Sequence, residues 1–216
     1  MSPEVDPSAP PQMVKIDVIS DFVCPWCWIG KRGVDSWLAD NPNAARIWHP
    51  YFLHPSLPPE GMDRRDLMRI KFGPDGVRGD VVNAIAEAGE RVGLSINYDL
   101  VERVPNTLDA HRLSRWAQGQ GRGDAAAEAL FAAYFEHGRD IGSWSVLQEI
   151  AADVGLDADL VRELLESGAD IEIVTAETED LRDRGIPGVP THLVGPKKML
   201  VGAQEPGAFD QALAAL

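Results

Sequence analysis

Residues 14–31 read VKIDVISDFVCPWCWIGK, and they carry the clearest structural signals in the chain. The segment Val14–Ser20 alternates apolar and polar side chains and is rich in β-branched residues, which is typical of a strand. From Ile29 to Leu38 the apolar residues recur at helical spacing, so we expect a helix there. A Cys-x-x-Cys motif, formed by Cys24 and Cys27, therefore stands between a strand and a helix.

The place of this motif favours redox chemistry. Unpaired backbone N–H groups and the macrodipole at a helix N-terminus favour a thiolate on the first cysteine. Pro25 in the first helical turn loses no hydrogen bond, because the donor it lacks has no partner there. In such motifs the pKa of a cysteine falls from about 8.5 to as little as about 3.5. We predict that Cys24 is the nucleophile and that Cys27 is the more buried, resolving thiol.

Two other uses of the cysteines are less favoured. They are the only two in the chain, and a disulfide closing so short a loop would constrain the unfolded state very little. Structural zinc needs four ligands, so a second Cys-x-x-Cys motif or a pair of histidines would have to supply the other two. No two histidines have ligand spacing; the five are His49, His54, His111, His137 and His192. We therefore expect no metal site.

The charge of the chain argues against two classes of partner. The formal net charge is −14, from 34 acidic and 20 basic residues, whereas phosphate binding needs clustered Lys and Arg. We expect neither nucleic acid nor an anionic membrane as a partner.

The N-terminal residues Met1–Gln12 are Pro-rich and acidic, without the basic start and apolar run of a secretory signal. We expect a disordered tail there and a cytoplasmic location.

The remaining segments continue the strand–helix–strand plan around a long helical block. A second strand is expected over Ala45–Leu53, parallel to the first through a right-handed crossover. Amphipathic periodicity predicts helices over Val81–Val92, Thr107–Ala117, Ala125–Glu136, Ser143–Val154, Asp157–Leu165 and Asp170–Asp183. A hairpin of Thr191–Val194 and Met199–Val201, followed by a helix over Pro206–Leu216, ends the chain.

These segments predict two structural units after the tail of residues 1–12. Residues 13–60 and 186–216 would form an α/β domain. Residues 61–185 would form an all-helical insertion between its second strand and its C-terminal hairpin. Because both ends of the insertion join the α/β domain near strand termini, we expect it to pack over Cys24 and to narrow a substrate cleft.

Short motifs in a fixed order connect the chain to a known family. They are SDFVCPWCWIGK at 20–31, FL at 52–53 with PPEG at 58–61, NTLDAHRL at 106–113, VPT at 189–191 and GAQ at 202–204. With these motifs the sequence resembles the FrnE-like branch of the DsbA-like thioredoxin superfamily. That branch is related to 2-hydroxychromene-2-carboxylate isomerases and kappa-class glutathione transferases. The resemblance covers nearly everything after the tail.

The resemblance implies a thioredoxin fold split by a helical insertion, and thiol–disulfide oxidoreductase or isomerase activity. It also implies a cis-Pro190 beside the dithiol, which would leave the Val189 backbone free to pair with a substrate. Pro25 and Trp26 of the motif are expected to contact the substrate as well. In relatives the loop that holds Asn106 lines the active-site cleft, which makes Asn106 a further candidate. The implied partners are protein or small-molecule disulfides and thiols, with glutathione a conceivable co-substrate and no cofactor beyond the dithiol.

The sequence leaves several alternatives open. A glutathione-dependent isomerase or transferase could use the same fold, although such relatives generally carry Ser where this chain has Cys24. A non-catalytic binding module with an inert dithiol is the third candidate. Asp21 could assist proton transfer, but a turn or cap role is favoured. At His192 a hydrogen-bonded strand histidine is favoured over a titrating group near the dithiol.

Overall fold

The fold is described by a computed structural model over residues 13–196 and 198–216. The tail expected over residues 1–12 and Lys197, in the turn of the predicted hairpin, lie outside the described residues. Within that range the chain forms a mixed α/β structure, with a main sheet covered by helices. None of the described helices is long and apolar enough to cross a membrane.

The main sheet has four strands, and a second, two-stranded sheet is very short. The strands are β1 Val14–Ser20, β2 Ala44–Pro50, β3 Met62–Asp63, β4 Arg103–Val104, β5 Thr191–Val194 and β6 Lys198–Val201. The order in the main sheet is β2-β1-β5-β6. β1 is parallel to β2, whereas β5 is antiparallel to both β1 and β6. The predicted parallel crossover and C-terminal hairpin are therefore confirmed.

Helices connect and cover these strands. They are α1 Pro25–Asp40, α2 Arg64–Phe72, α3 Gly79–Glu90, α4 Leu108–Gly119, α5 Gly123–Phe135, α6 Trp144–Asp153, α7 Ala158–Glu166, α8 Ile171–Asp183 and α9 Pro206–Ala214. The thioredoxin-like α/β class with a helical insertion is confirmed. The insertion is not wholly helical, because β3 and β4 pair within it.

The structure corrects the expected boundaries around the motif and adds one helix. α1 begins at Pro25 and not at Ile29, so Cys27 lies inside its first turn. The second strand ends at Pro50, three residues before its predicted end. α2 was not predicted, because it is short and rich in charge and only Leu67 of its nine residues is buried.

One apolar cluster runs through both predicted units. It contains Val18 of β1 and Trp28 of α1 together with Phe131 of α5. On the other face of the sheet, α8 packs against the end of β2, where the Thr178 hydroxyl donates to the carbonyl of Pro50 at 3.3 Å. Since packing crosses the boundary expected at residue 185, the division into two domains stays a prediction.

Glu128 of α5 holds α1 to the insertion. Its carboxylate accepts from the Trp28 indole at 3.2 Å, from Arg32 at 2.8 Å, and lies 2.9 Å from the Lys31 ammonium. Partial burial alone would raise the pKa of Glu128, but hydrogen bonds and charge from Arg32 and Lys31 lower it to about 2. The helix that carries the cysteines is thereby fixed to α5 by charged contacts as well as by packing.

Candidate active site

Cys24 is the residue that caps the N-terminus of α1. Its backbone is extended, with φ −98° and ψ 112°, and Pro25 follows in the first turn. The Cys24 N–H donates to the carbonyl of Asp21 at 3.0 Å, which fixes the turn between β1 and α1. Cys24 thus lies at the N-terminus of α1, the positive end of the helix dipole.

Cys27 lies one turn further into the helix and is enclosed by the core. It is 1% exposed. Burial, followed by the neighbouring Cys24 sulfur, raises the pKa of Cys27 well above its ordinary value. The Ser20 hydroxyl lowers that pKa and offsets part of the effect. Both cysteines carry free thiols. The motif therefore joins a thiol at the helix end to one that is held protonated.

The predicted cis bond is present between Val189 and Pro190. The Cys24 thiol lies beside it and makes a weak contact with the carbonyl of Val189 at 3.7 Å. Gly30 allows α1 to approach this loop, because a Cβ there would lie 3.3 Å from Cγ of Pro190 and 3.2 Å from Cα of Ala203. The chain thus brings together two segments that lie 165 residues apart in sequence.

Cys24 opens onto a groove of about 260 Å³, which we call the Cys24 groove. Its walls are the start of α1, the loop after β2, the helices α2 and α3, and side chains near β4 and α5. The lining residues are Val23, Cys24, Pro25, Trp26, Leu53, His54, Arg64, Met68, Lys71, Phe72, Val77, Val81, Val82, Ile85, Tyr98, Val104 and Tyr134. Most are apolar, and the insertion supplies one whole side, as the sequence predicted.

Trp26, between the two cysteines, is 40% exposed and lines the groove, as expected for a flat contact surface. Asn106 lies elsewhere. Its side-chain amide donates to the carbonyl of Leu57 at 3.1 Å, and its oxygen accepts from the N–H of Leu108 at 3.0 Å. It lines a separate pocket beside α8. The structure therefore does not bring Asn106 to Cys24, and its substrate role stays a prediction.

Residues 15–214 match the model of the DSBA-like thioredoxin domain. The chain belongs to this family. Its cysteine pair, the cis-proline and the helical insertion between β2 and β5 are features of this DSBA-like domain that the structure brings to one place. Family members are generally oxidoreductases that act on thiols and disulfides.

The chain is also similar to three known proteins. The uncharacterized protein YwbO of Bacillus subtilis strain 168 is 26% identical over 201 residues, which is 93% of this chain and 96% of YwbO. The crystal structure of the probable DsbA oxidoreductase SCO1869 of Streptomyces coelicolor has a TM-score of 0.82 at 25% identity, covering 94% of this chain and 89% of that one. A structure of 2-hydroxychromene-2-carboxylate isomerase has a TM-score of 0.70 at 16% identity, with coverage of 93% and 95%, and shows the shared fold.

Behind the motif of this DSBA-like domain lies a buried polar pair. The Asp21 carboxylate accepts from the N–H of Leu53 at 2.7 Å and lies 3.4 Å from Nε2 of His111. The His111 ring packs against Phe22, with 4.8 Å between ring centroids. These contacts hold the loop after β2 against the motif. Sequence reasoning treated Asp21 and His111 separately, because nothing local connects residues 90 positions apart.

The histidine predicted at a strand position, His192, is a core residue of β5. His192 is fully buried under α9, where its ring meets Phe209 edge to face at 5.4 Å between centroids. Neither ring nitrogen has a hydrogen-bond partner among the described residues. Burial lowers the pKa of His192 to about 4, so it is a neutral core residue. At this position of β5 the ring packs against the apolar side of α9, whereas the sequence favoured a hydrogen-bonding neighbour.

The described part of the chain holds no group of three or more His, Cys, Asp or Glu side chains that could bind a metal ion. The groove itself was only partly predictable. Its floor follows from the motif, but its α2 wall depends on a short helix in which charged residues outnumber the apolar ones. The cations of α2 were therefore not recognised as part of the site.

Proposed function

We propose that this protein is a thiol–disulfide oxidoreductase that exchanges disulfides through Cys24 and Cys27, with Cys24 as the nucleophile. One observation carries the proposal. Cys24 lies at the N-terminus of α1, is 5% exposed where it lines the Cys24 groove, and contacts the Val189–Pro190 loop, whereas Cys27 is 1% exposed and lies outside the groove lining. Only the first thiol is placed to meet a substrate, and only the second is placed to resolve a mixed disulfide.

The reduction of a substrate disulfide then has two steps. The Cys24 thiolate attacks one substrate sulfur, forms a mixed disulfide, and releases the other sulfur as a thiolate. The Cys27 thiolate next attacks the Cys24 sulfur, forms the Cys24–Cys27 disulfide, and releases the second thiolate. Two electrons pass from the dithiol to the substrate, and the two cysteine protons go to the released thiolates. Substrate oxidation is the reverse sequence.

The loop before Pro190 supports an extended substrate. Among the described residues the Val189 N–H has no backbone acceptor. Its carbonyl meets only the weak Cys24 thiol contact at 3.7 Å, so both backbone groups remain available for a substrate strand. The proposal gives Val189 and Pro190 the role of a binding edge, with Pro25 and Trp26 on the opposite side of the reacting sulfur.

The test is catalysis of insulin reduction with dithiothreitol. We expect the wild type to accelerate the reaction and Cys24→Ser to abolish it. Cys27→Ser should instead accumulate a mixed disulfide with the substrate, visible by mass spectrometry, because the first step remains and the second is blocked.

An inactive wild type that isomerises a chromene carboxylate with glutathione would replace this proposal with the isomerase alternative. A wild type that does neither, with a dithiol unreactive toward disulfides, would favour the binding module. The cytoplasmic location expected from the N-terminus stays a prediction that this assay does not require.

A further inference from the structure

The charge of the Cys24 groove differs in sign from that of the protein. The chain carries 34 acidic and 20 basic residues. None of the groove-lining residues is acidic, whereas two of them are cations, Arg64 and Lys71 of α2. In a chain this acidic, a site wall with only positive charge requires an explanation, because random placement would put carboxylates there more often than ammonium or guanidinium groups.

Arg64 is held over the groove by an aromatic ring. Its guanidinium carbon lies 4.5 Å from the centroid of Tyr98, a geometry in which the ring face attracts the cation. The residue is half-buried. Among the described residues no carboxylate lies within 4.0 Å of the Arg64 guanidinium, although its N–H groups could donate to one. Arg64 is therefore oriented and partly desolvated without a counter-charge.

Lys71 lies two turns further along α2 on the same side of the helix. Its ammonium lies 3.3 Å from Nδ1 of His54. Burial and the charge of Lys71 lower the pKa of His54, so this imidazole is neutral at pH 7 and accepts from the ammonium. In the part of the chain that the structure describes, Lys71 has no carboxylate partner either. The Lys71 ammonium is thus a second cation at the Cys24 groove, and the neutral His54 imidazole holds it there.

The other cations of α2 have a different position. Arg69 pairs with Asp66 at 3.2 Å, and both are exposed. Arg65 is exposed, has no carboxylate partner among the described residues, and does not line the Cys24 groove. Among the described residues of α2, Arg64 and Lys71 are the cations that both line the Cys24 groove and have no carboxylate within 4.0 Å. The apolar side chains beside them, Met68 and Phe72, form the rest of that wall.

We propose that the Cys24 groove selects small disulfides in which a carboxylate is attached to an apolar or aromatic body, with Arg64 and Lys71 binding the carboxylate. The apolar wall takes the body of the ligand, and the two cations take its charge. This inference rests on the thiol–disulfide exchange proposed above and names its substrate class. A groove of about 260 Å³ suits a small molecule.

The same cations would favour the first chemical step. When the Cys24 thiolate forms a bond to one sulfur of the ligand, the other sulfur leaves as a thiolate. That leaving group and the ligand carboxylate both carry negative charge near Arg64 and Lys71. The electrons come from the Cys24–Cys27 dithiol, so a single turnover of the reduced protein needs no further reductant.

The experiment compares two aromatic disulfides of similar size, the anionic dithiobis(nitrobenzoate) and the neutral dithiodipyridine. Reduced protein is mixed with each in a stopped-flow instrument, and each rate is divided by that of free mercaptoethanol to remove intrinsic reactivity. We expect Arg64→Gln and Lys71→Gln each to slow the anionic reaction by about fivefold to tenfold and to leave the neutral one unchanged. Added salt should slow only the anionic reaction.

Arg65→Gln is the matched control, because it removes the same charge from the same helix outside the groove. Equal effects of the three substitutions, or equal effects on both disulfides, would overturn the inference. So would charge dependence that appears only with the disulfide of an acidic peptide. Failure of Cys24 to react with either disulfide would instead overturn the proposed function. Lys71 is exposed, so its variant remains informative if Arg64→Gln folds poorly.

Discussion

Cys24 and Cys27 lie one helical turn apart, yet the two sides of the motif differ in almost every physical respect. The groove side, meaning the residues that line the Cys24 groove, includes the exposed apolar side chains of Trp26, Phe72 and Val81 and two cations without a carboxylate partner among the described residues. The inner side, meaning Ser20, Asp21, Phe22, Cys27, His111 and Phe131, is buried and packed around aromatic rings. One face of the same short helix segment is left open, and the other is closed.

The difference assigns separate tasks to the two sides. Burial of apolar surface supplies most folding free energy, so stability should depend on the inner side. Exposed apolar groups beside a nucleophile contribute little to folding but offer contact area to a ligand. Substitutions on the inner side should therefore lower stability, whereas substitutions on the groove side should weaken the reaction with the substrate.

The largest difference is expected between two phenylalanines. Phe131 is fully buried and contacts both Phe22 and Trp28, so Phe131→Ala should lower the free energy of unfolding by about 3–5 kcal/mol. Phe72 is 60% exposed on the groove side, so Phe72→Ala should change it by no more than about 0.5 kcal/mol. Urea unfolding monitored by circular dichroism measures both. Similar losses for the two variants would contradict the comparison.

The inner side was largely predictable from the sequence, and the groove side was not. The strand over Val14–Ser20 has the bounds that its sequence pattern indicates, although its last three residues are all buried because helices cover both faces of the sheet there. The cysteine roles follow from a motif whose chemistry depends on local geometry. The cis bond before Pro190 came from family resemblance, since X-Pro bonds are cis in only about 5–6% of cases.

The groove side depends on segments that leave weak marks in a sequence. α2 is rich in charge and buries only Leu67, so periodicity could not find it. β3 and β4 have two residues each, too few for any alternating pattern. The contact of Lys71 with His54 joins α2 to the loop after β2 through tertiary packing alone. Ligand-facing surfaces lack the burial that makes core elements recognisable.

Substitution of Glu128 tests whether charged contacts behind the motif contribute to stability in addition to packing. Its pKa is lowered from 4.5 to about 2, so its contribution is complete above pH 4.5 and is lost as the pH falls from 4.5 towards 2. The side chain is 34% exposed, and solvent screening limits the contribution to about 1–2 kcal/mol. Glu128→Gln should therefore lower stability at pH 7, and the deficit should shrink as the pH falls through 3 towards 2.

Glu149→Gln is the matched control for this substitution. Glu149 is 64% exposed and pairs with Arg139 on the surface, so its loss should change stability little at any pH. A constant deficit for Glu128→Gln between pH 7 and pH 3 would show that the side chain acts through packing and not through its charge.

Ser20 tests how the buried thiol is activated. Its hydroxyl lowers the pKa of Cys27 and has no other partner of good hydrogen-bond geometry in the described chain. Ser20→Ala should slow the second release of thionitrobenzoate from dithiobis(nitrobenzoate), which reports Cys27, by about fivefold. The first release, which reports Cys24, should not change. Ser114→Ala, also buried but on α4, is the control. A slowed first release would reassign the role of Ser20.

The smallest effect is expected at Trp26. Because its ring is 40% exposed on the groove side, Trp26→Ala should leave stability within about 0.5 kcal/mol of the wild type. It should raise the KM for insulin about twofold to fivefold through lost apolar contact. Trp144 is 39% exposed on α6, outside the groove, and Trp144→Ala should leave the KM unchanged. Equal KM values for the two variants would show that Trp26 does not contact the substrate.

Alkylation of the reduced, native protein with limiting iodoacetamide measures the difference between the two thiols directly. Burial and a raised pKa protect Cys27, so near neutral pH mass spectrometry of the peptides should show Cys24 modified at least about tenfold faster. In guanidinium chloride the two cysteines should react at similar rates. Equal modification of both cysteines in the native protein, or faster modification of Cys27, would contradict the assignment of nucleophile and resolving thiol.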